Sequence, residues 1–195
     1  MKNNKKLTVK DLVTIGIFTV VYFVVMFGVG MIGMVPILFL IYPTILGVVT
    51  GTIIMLFMAK VQKPWAIFIL GMISPLLMFS MGHTYILPVH SIIVMTIAEL
   101  LRKAGEYKSF KYNMFSFAVF NTWICGSIMQ MLLVKDRYLE MTVSTMGEEF
   151  AGSMEKIVTF PNMALVYLGA ILGGIVGAYI GKVFLKKHFE KAGIV

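Results

Sequence analysis

From Leu12 to Ala59 the chain runs 48 residues without Asp, Glu, Lys, Arg or His. A membrane crossing takes roughly 20 apolar residues, so this stretch holds two crossings and a turn. Gly28, Gly30, Gly33 and Pro36 place that turn near its middle. Tyr112–Val134 (23 residues) and Ile157–Gly181 (25 residues) are free of charge and supply one crossing each. The whole sequence of 195 residues is 59% hydrophobic and 13% charged, more apolar surface than a water-soluble domain of this length can hide.

Pro64–Ala98 is less clear, since its 35 residues are interrupted only by His83 and His90 and fit one crossing or two. The basic residues decide between them. Six spans put 14 of the 17 Lys and Arg residues on one side and leave only Lys135, Arg137 and Lys156 on the other. A single span over 64–98 would split them 9 against 8. Because positive loops stay in the cytoplasm, six helices with both termini cytoplasmic are expected. The expected fold is a single all-α integral membrane domain over 1–195, with spans at 10–31, 36–59, 64–81, 85–104, 111–134 and 160–186. The +8 net charge then reflects membrane topology and not nucleic-acid binding. The basic N-terminus resembles a signal peptide, but its apolar run is too long and lacks a cleavage site, so it is expected to be retained. Cys125 is the only cysteine, which excludes an intramolecular disulfide and a cysteine metal cluster.

The long connection, Lys135–Thr159, carries five of the nine acids. Its Leu139, Val143, Met146, Phe150, Met154 and Ile157 recur at steps of three and four, the stripe of an amphipathic helix on the outer face. Gly147 and Gly152 are candidate joints. Such a segment can lie on the membrane or serve as a lid over an outward-facing pocket. In the last span Gly169, Gly173, Gly177 and Gly181 repeat at intervals of four, which admits a second helix at close range. An internal partner is favoured. Gly16 and Val20 on the first span form a weaker small-xxx-small-like pair, read either as packing or as a docking groove for a partner helix.

Polar side chains inside spans are costly, so their depth is informative. Trp123, Ser127 and Gln130 share one face of the fifth span, with Asn121 deeper. His83 and Tyr85 fall in the outer turn between spans three and four, and His90 lies inside span four beyond Pro88, which is expected to loosen that helix. Asn162 opens the sixth span, with Tyr167 further along, and Tyr42 and Thr44 sit in the outer part of the second. Aromatic faces and neutral hydrogen-bonding groups at one depth are the composition of a pocket for a small ring compound. The alternatives are interhelical packing, a membrane-embedded metal-dependent enzyme using His83 and His90, and a ligand-free structural membrane protein. Two histidines without an acidic neighbour make a poor zinc site, and no phosphate loop or nucleophile motif is present. The expectation is therefore no enzyme, no metal and no cofactor.

The stretches LTVKDLVTIGIFTVVYF (7–23), GH (82–83), KDRY (135–138), GEEFA (147–151) and GGIVGAYIGKVFLKKHF (173–189) extend over nearly the whole chain. In that order and spacing the sequence resembles substrate-binding S components of energy-coupling factor (ECF) transporters, in the Trep_Strep or MptD-family group. The resemblance implies a six-helix bacterial plasma-membrane protein that captures a vitamin-like small molecule from outside. It also implies docking to a membrane coupling subunit with two cytoplasmic ATPases, and inward release of the substrate. In that class the first helix docks through an Ala-x-x-x-Ala-like patch, to which Gly16 and Val20 correspond. Valine departs from the small-residue pattern. Substrate identity does not follow, but the outer halves of the spans hold no Lys or Arg, which favours a neutral or weakly basic heterocycle.

Overall fold

The computed structural model describes residues 6–186. The extreme termini, whose side of the membrane entered the topology count, lie outside the described residues. The described chain is all-helical: α1 (Val9–Gly30), α2 (Pro36–Lys60), α3 (Ala66–Ser80), α4 (Ile86–Ala104), α5 (Phe110–Asn121), α6 (Cys125–Leu133), α7 (Lys135–Met146), α8 (Glu148–Ile157) and α9 (Phe160–Phe184). Short 3-10 turns at Met31–Met34 and Thr122–Ile124 extend α1 and join α5 to α6.

Among the described residues, four helical stretches are long and apolar enough to cross a membrane: Val9–Met34, Pro36–Lys60, Phe110–Leu133 and Phe160–Phe184. The remaining two expected spans differ in kind. Helix α3 has 15 residues and at 1.5 Å per residue reaches about 22 Å, short of the hydrocarbon thickness of about 30 Å. Helix α4 has 19 residues and ends in Glu99, Arg102 and Lys103. The outward face of α1 is apolar: Val9, Val13, Ile17, Val20, Val24 and Phe27 are all exposed, a surface suited to lipid as its solvent.

The helix ends alternate between two poles. At the lysine-rich pole, Lys63 in the α2–α3 turn pairs with Asp11 at the start of α1 (2.7 Å). Asp11 also completes a capping box with Thr8. Arg102 of α4, fully buried, donates through Nη2 to the carbonyls of Met58 (3.2 Å) and Val61 (2.9 Å) at the end of α2, and through Nε to Asn113 of α5 (3.2 Å). A cation on the last carbonyls of a helix satisfies orphan acceptors and complements the helix dipole. One turn earlier, Glu99 Oε1 accepts the N–H of Trp65 (2.7 Å), which caps α3, and the hydroxyl of Tyr107 (3.1 Å). Lys182 of α9 lies over the ring of Phe110 at the start of α5 (4.4 Å). The α1–α2 turn, the α3–α4 turn, α7–α8 and the start of α9 form the opposite, distal pole.

Helices α2 and α9 make the closest approach. A Cβ on Gly51 would fall on the backbone of Gly177, one on Gly177 on the Gly47 carbonyl, and one on Gly173 on the Thr44 carbonyl. Gly169 faces the Thr44 hydroxyl, and Gly181 faces Gly51 and Met55. All four glycines of the four-residue repeat therefore meet the same internal helix. At the break after α5, Asn121 Nδ2 donates to the carbonyls of Pro43 in α2 (2.8 Å) and Ala170 in α9 (2.9 Å), tying the pair together.

The local expectations divide. Of the two candidate joints in Lys135–Thr159, Gly147 splits the segment into two helices, because it takes a positive φ of 89° with extended ψ between them. Gly152, the other candidate joint, lies within α8. Pro88 does not loosen α4: as the third residue of that helix it lacks an N–H that would have no intrahelical acceptor in any case.

Candidate functional site

The segment Thr122–Leu133 organises the distal pole. Trp123, fully buried, donates its indole N–H to the hydroxyl of Tyr22 on α1 (2.8 Å). The Tyr22 ring stands edge-on to Phe120 at 5.6 Å. Gly126 leaves room for His90 of α4, since a Cβ there would sit 2.6 Å from Nδ1. His90 Nε2 lies 2.7 Å from the hydroxyl of Tyr167 on α9, with their rings also edge-on. Its Nδ1 is buried and without a hydrogen-bond partner among the described residues.

Three residues before the end of α6, Gln130 staples the α3–α4 turn. Its Oε1 accepts both the backbone N–H (2.6 Å) and the hydroxyl (2.9 Å) of Thr84, and its Nε2 reaches the Ser127 carbonyl (2.9 Å) and His83 Nδ1 (3.1 Å). A backbone N–H can only donate, so the amide orientation is fixed and His83 Nδ1 must accept. His83 is therefore neutral, with its proton on Nε2. Burial holds its pKa below the usual histidine value. Gly82, at φ 109°, makes the turn that presents His83.

The other sequence candidates divide. Tyr42 is buried, donates to the Met26 carbonyl of α1 (3.2 Å) and stacks on Phe39. Ser127 bonds the Ile124 carbonyl of its own turn (2.7 Å), and Asn121 serves the α2–α9 clamp. Asn162 donates to the Ile157 carbonyl (2.7 Å), closing the α8–α9 corner. Tyr85 is 60% exposed and stands apart from the buried set. Gly16 and Val20 are exposed on α1, and a Cβ on Gly16 would meet nothing within 4 Å. Tyr22, Thr84 and Asn113 escaped the sequence reading. Tyr22 looks like any aromatic in an apolar run, and only its pairing with Trp123, far along the chain, marks it.

Helices α7 and α8 pack on the adjoining part of this pole. Tyr138, Met154 and Val158 join Cys125, Ile128, Met131, Met163 and Val166 in an apolar core of their own, with Tyr167, Phe39 and Phe150 packed against it. Lys135 pairs with Glu155, tying the start of α7 to α8. That bond raises the lysine pKa. Burial pushes the Tyr138 hydroxyl up to about 12. Tyr22, Tyr42, His90, Trp123, Gln130 and Tyr167 thus gather uncharged rings and one amide from α1, α2, α4, α6, α9 and the turn leading into α6. Uncharged rings and an amide of this kind suit a neutral ring rather than an ion, and their hydrogen-bonding groups are engaged with one another, with neighbouring side chains or with backbone. Among the described residues no three His, Cys, Asp or Glu side chains come together as a metal site. His83 and His90 are directed to different partners.

No curated protein and no solved structure matches this chain. A family model described as "Hypothetical bacterial integral membrane protein (Trep_Strep)" matches residues 9–191, and the chain belongs to that family.

Proposed function

We propose that this protein is the substrate-capture (S) subunit of an ECF-type importer, binding a neutral or weakly basic heterocycle at the distal pole. In this reading the chain crosses the plasma membrane six times with both termini and the lysine-rich pole in the cytoplasm. It docks through the open α1 face around Gly16 and Val20 to a membrane coupling subunit served by two ATPases. It has no catalytic role of its own. One observation carries the reading: aromatic and amide side chains from five helices and the α5–α6 turn lie at one pole, next to a two-helix cover whose joint is a single glycine, Gly147. Uptake through such a site needs the cover to move, and the positive φ at Gly147 supplies a natural hinge. The Lys135–Glu155 pair already engages one rim cation, which weighs further against a polyanionic ligand.

The test is mass spectrometry of small molecules that co-purify with the chain, followed by equilibrium binding of pyrimidine- and pyridine-type compounds to the purified protein. Saturable binding of a neutral ring is expected, weakened by Trp123→Ala. Binding restricted to phosphorylated or polyanionic compounds would overturn the substrate class. Failure to co-purify with any coupling subunit and ATPases would overturn the S-subunit role.

A further inference from the structure

A cleft of about 940 Å³ opens at the lysine-rich pole, away from the proposed capture site, between the α2–α3 turn, the end of α4 and the α4–α5 turn. Its floor holds Glu99, only 3% exposed. Oε1 is engaged by Trp65 and Tyr107, whereas Oε2 is buried and has no hydrogen-bond partner among the described residues. A carboxylate oxygen left in this state is costly unless a donor reaches it. Of the four lysines in the wall, Lys63 is held by Asp11. Lys60, Lys103 and Lys108 are exposed and form no ion pair among the described residues. Against Glu99 and Glu106 these three lysines leave one net positive charge facing the cleft.

The backbone is unusual at the same place. Trp65, Glu106 and Tyr107 are the non-glycine residues with positive φ (66°, 53° and 63°) among the described residues, and all three line the cleft. Strained backbone of this kind is kept where the surroundings hold a site in shape. One side of the cleft opens onto lipid-facing surface: Val89, Ile93, Ile97 and Leu100 of α4, spaced by four, four and three, form an exposed apolar stripe ending in the cleft wall at Leu100. Trp65, 54% exposed beside it, is placed as an interfacial anchor.

We infer that this cleft binds the headgroup of one phospholipid that joins an anionic phosphodiester to free hydroxyls, with an acyl chain along the α4 stripe. The phosphate meets Lys60, Lys103 and Lys108, a headgroup hydroxyl donates to Glu99 Oε2, and the single negative charge of such a lipid matches the one positive charge left over. Zwitterionic headgroups lack that charge match. A soluble glycerol phosphate presents the same polar chemistry but has no use for the stripe.

The test is native mass spectrometry of the full chain in detergent with phosphatidylglycerol, phosphatidylcholine or phosphatidic acid added, and free glycerol 3-phosphate as competitor. Phosphatidylglycerol is expected to be retained at least about tenfold better than phosphatidylcholine, a conservative reading of three near-surface lysine contacts. The triple variant Lys60→Gln, Lys103→Gln, Lys108→Gln, confined to exposed side chains, should erase that preference. Phosphatidylglycerol is also expected to be retained better than phosphatidic acid, which has no headgroup alcohol, and Glu99→Gln should erase that second preference. Equal retention of phosphatidylglycerol and phosphatidylcholine, or a triple variant that keeps the preference, overturns the site. Displacement of the lipid by equimolar glycerol 3-phosphate overturns its assignment to a lipid. None of these outcomes depends on the distal capture site.

Discussion

Gln130 accepts the backbone N–H of Thr84 at 2.6 Å, and that bond determines that its Nε2 faces His83 Nδ1. The arrangement needs a neutral His83. Burial lowers the histidine pKa in the folded protein below its usual 6.5, so the unfolded chain binds the extra proton at higher pH than the folded one. The stabilisation is then complete above about pH 6.5 and is lost as pH falls through the folded value. Thermal unfolding in detergent should show a midpoint that declines on acidification from pH 7 to pH 5. His83→Asn, whose amide oxygen can accept from Gln130, should flatten the decline at a cost of about 1 kcal/mol or less. A slope unchanged in that variant would place its source at another group.

Two glycines on apolar helices should behave in opposite ways. A Cβ on Gly177 collides with the Gly47 carbonyl, whereas one on Gly16 meets nothing within 4 Å. Gly177→Leu should separate α2 from α9 and destabilise the protein by about 3 kcal/mol or more, since overpacking a tight contact costs 1–3 kcal/mol even when the backbone can shift. Gly16→Trp should leave the unfolding midpoint of the isolated chain unchanged while abolishing co-purification with a coupling subunit. A Gly16→Trp variant that unfolds early would mean that α1 is packed, not open, at that point.

Gly147 and Gly152 offer the same contrast in the cover. A side chain at Gly147 must adopt φ 89° with ψ 165°, a region open essentially to glycine, at a cost of about 1–3 kcal/mol. Gly147→Ala should raise amide exchange across residues 135–157 and leave α2 and α9 protected. Gly152 sits inside α8 with open space around it. Gly152→Ala should therefore be neutral or stabilise the cover by up to about 1 kcal/mol. Equal effects at both glycines would remove the case for a single joint.

Four of the six expected spans were legible because long charge-free runs are local features of the sequence. The amphipathic stripe over 135–159 was legible too, with Gly147 and Gly152 as candidate joints, but helical spacing continues across both and only φ reveals that Gly147 is the one. The polar residues of the fifth span were recognisable as special, yet their partners were not. Asn121 holds carbonyls of α2 and α9, and Gln130 holds the Thr84 turn. Composition marks a polar residue as costly in a span, but only the packing of distant helices decides whether it meets backbone, side chain or ligand. Glu99 and Arg102 show the same limit. At the end of a span they read as ordinary boundary charges, whereas each is almost wholly enclosed.

Arg102 gives the most demanding prediction, because its guanidinium does what no single-point cation can. Nη2 reaches two carbonyls ending α2 while Nε reaches Asn113 on α5, so one planar group joins three helices. Arg102→Ala would orphan the Met58 and Val61 carbonyls and empty a large fully buried site. Bonds to charged groups contribute about 1.5–3 kcal/mol each in water-soluble proteins, but interhelical bonds within membranes average nearer 0.6 kcal/mol. The loss should therefore be about 2–4 kcal/mol, read as a lower unfolding midpoint in detergent. Arg102→Lys keeps the charge near the α2 terminus yet lacks the fork geometry, so it should recover less than half of that loss. Full recovery by lysine would reduce the role of Arg102 to its charge at the helix end. No loss with alanine would mean that those carbonyls are satisfied by water and that the three-helix joint contributes little.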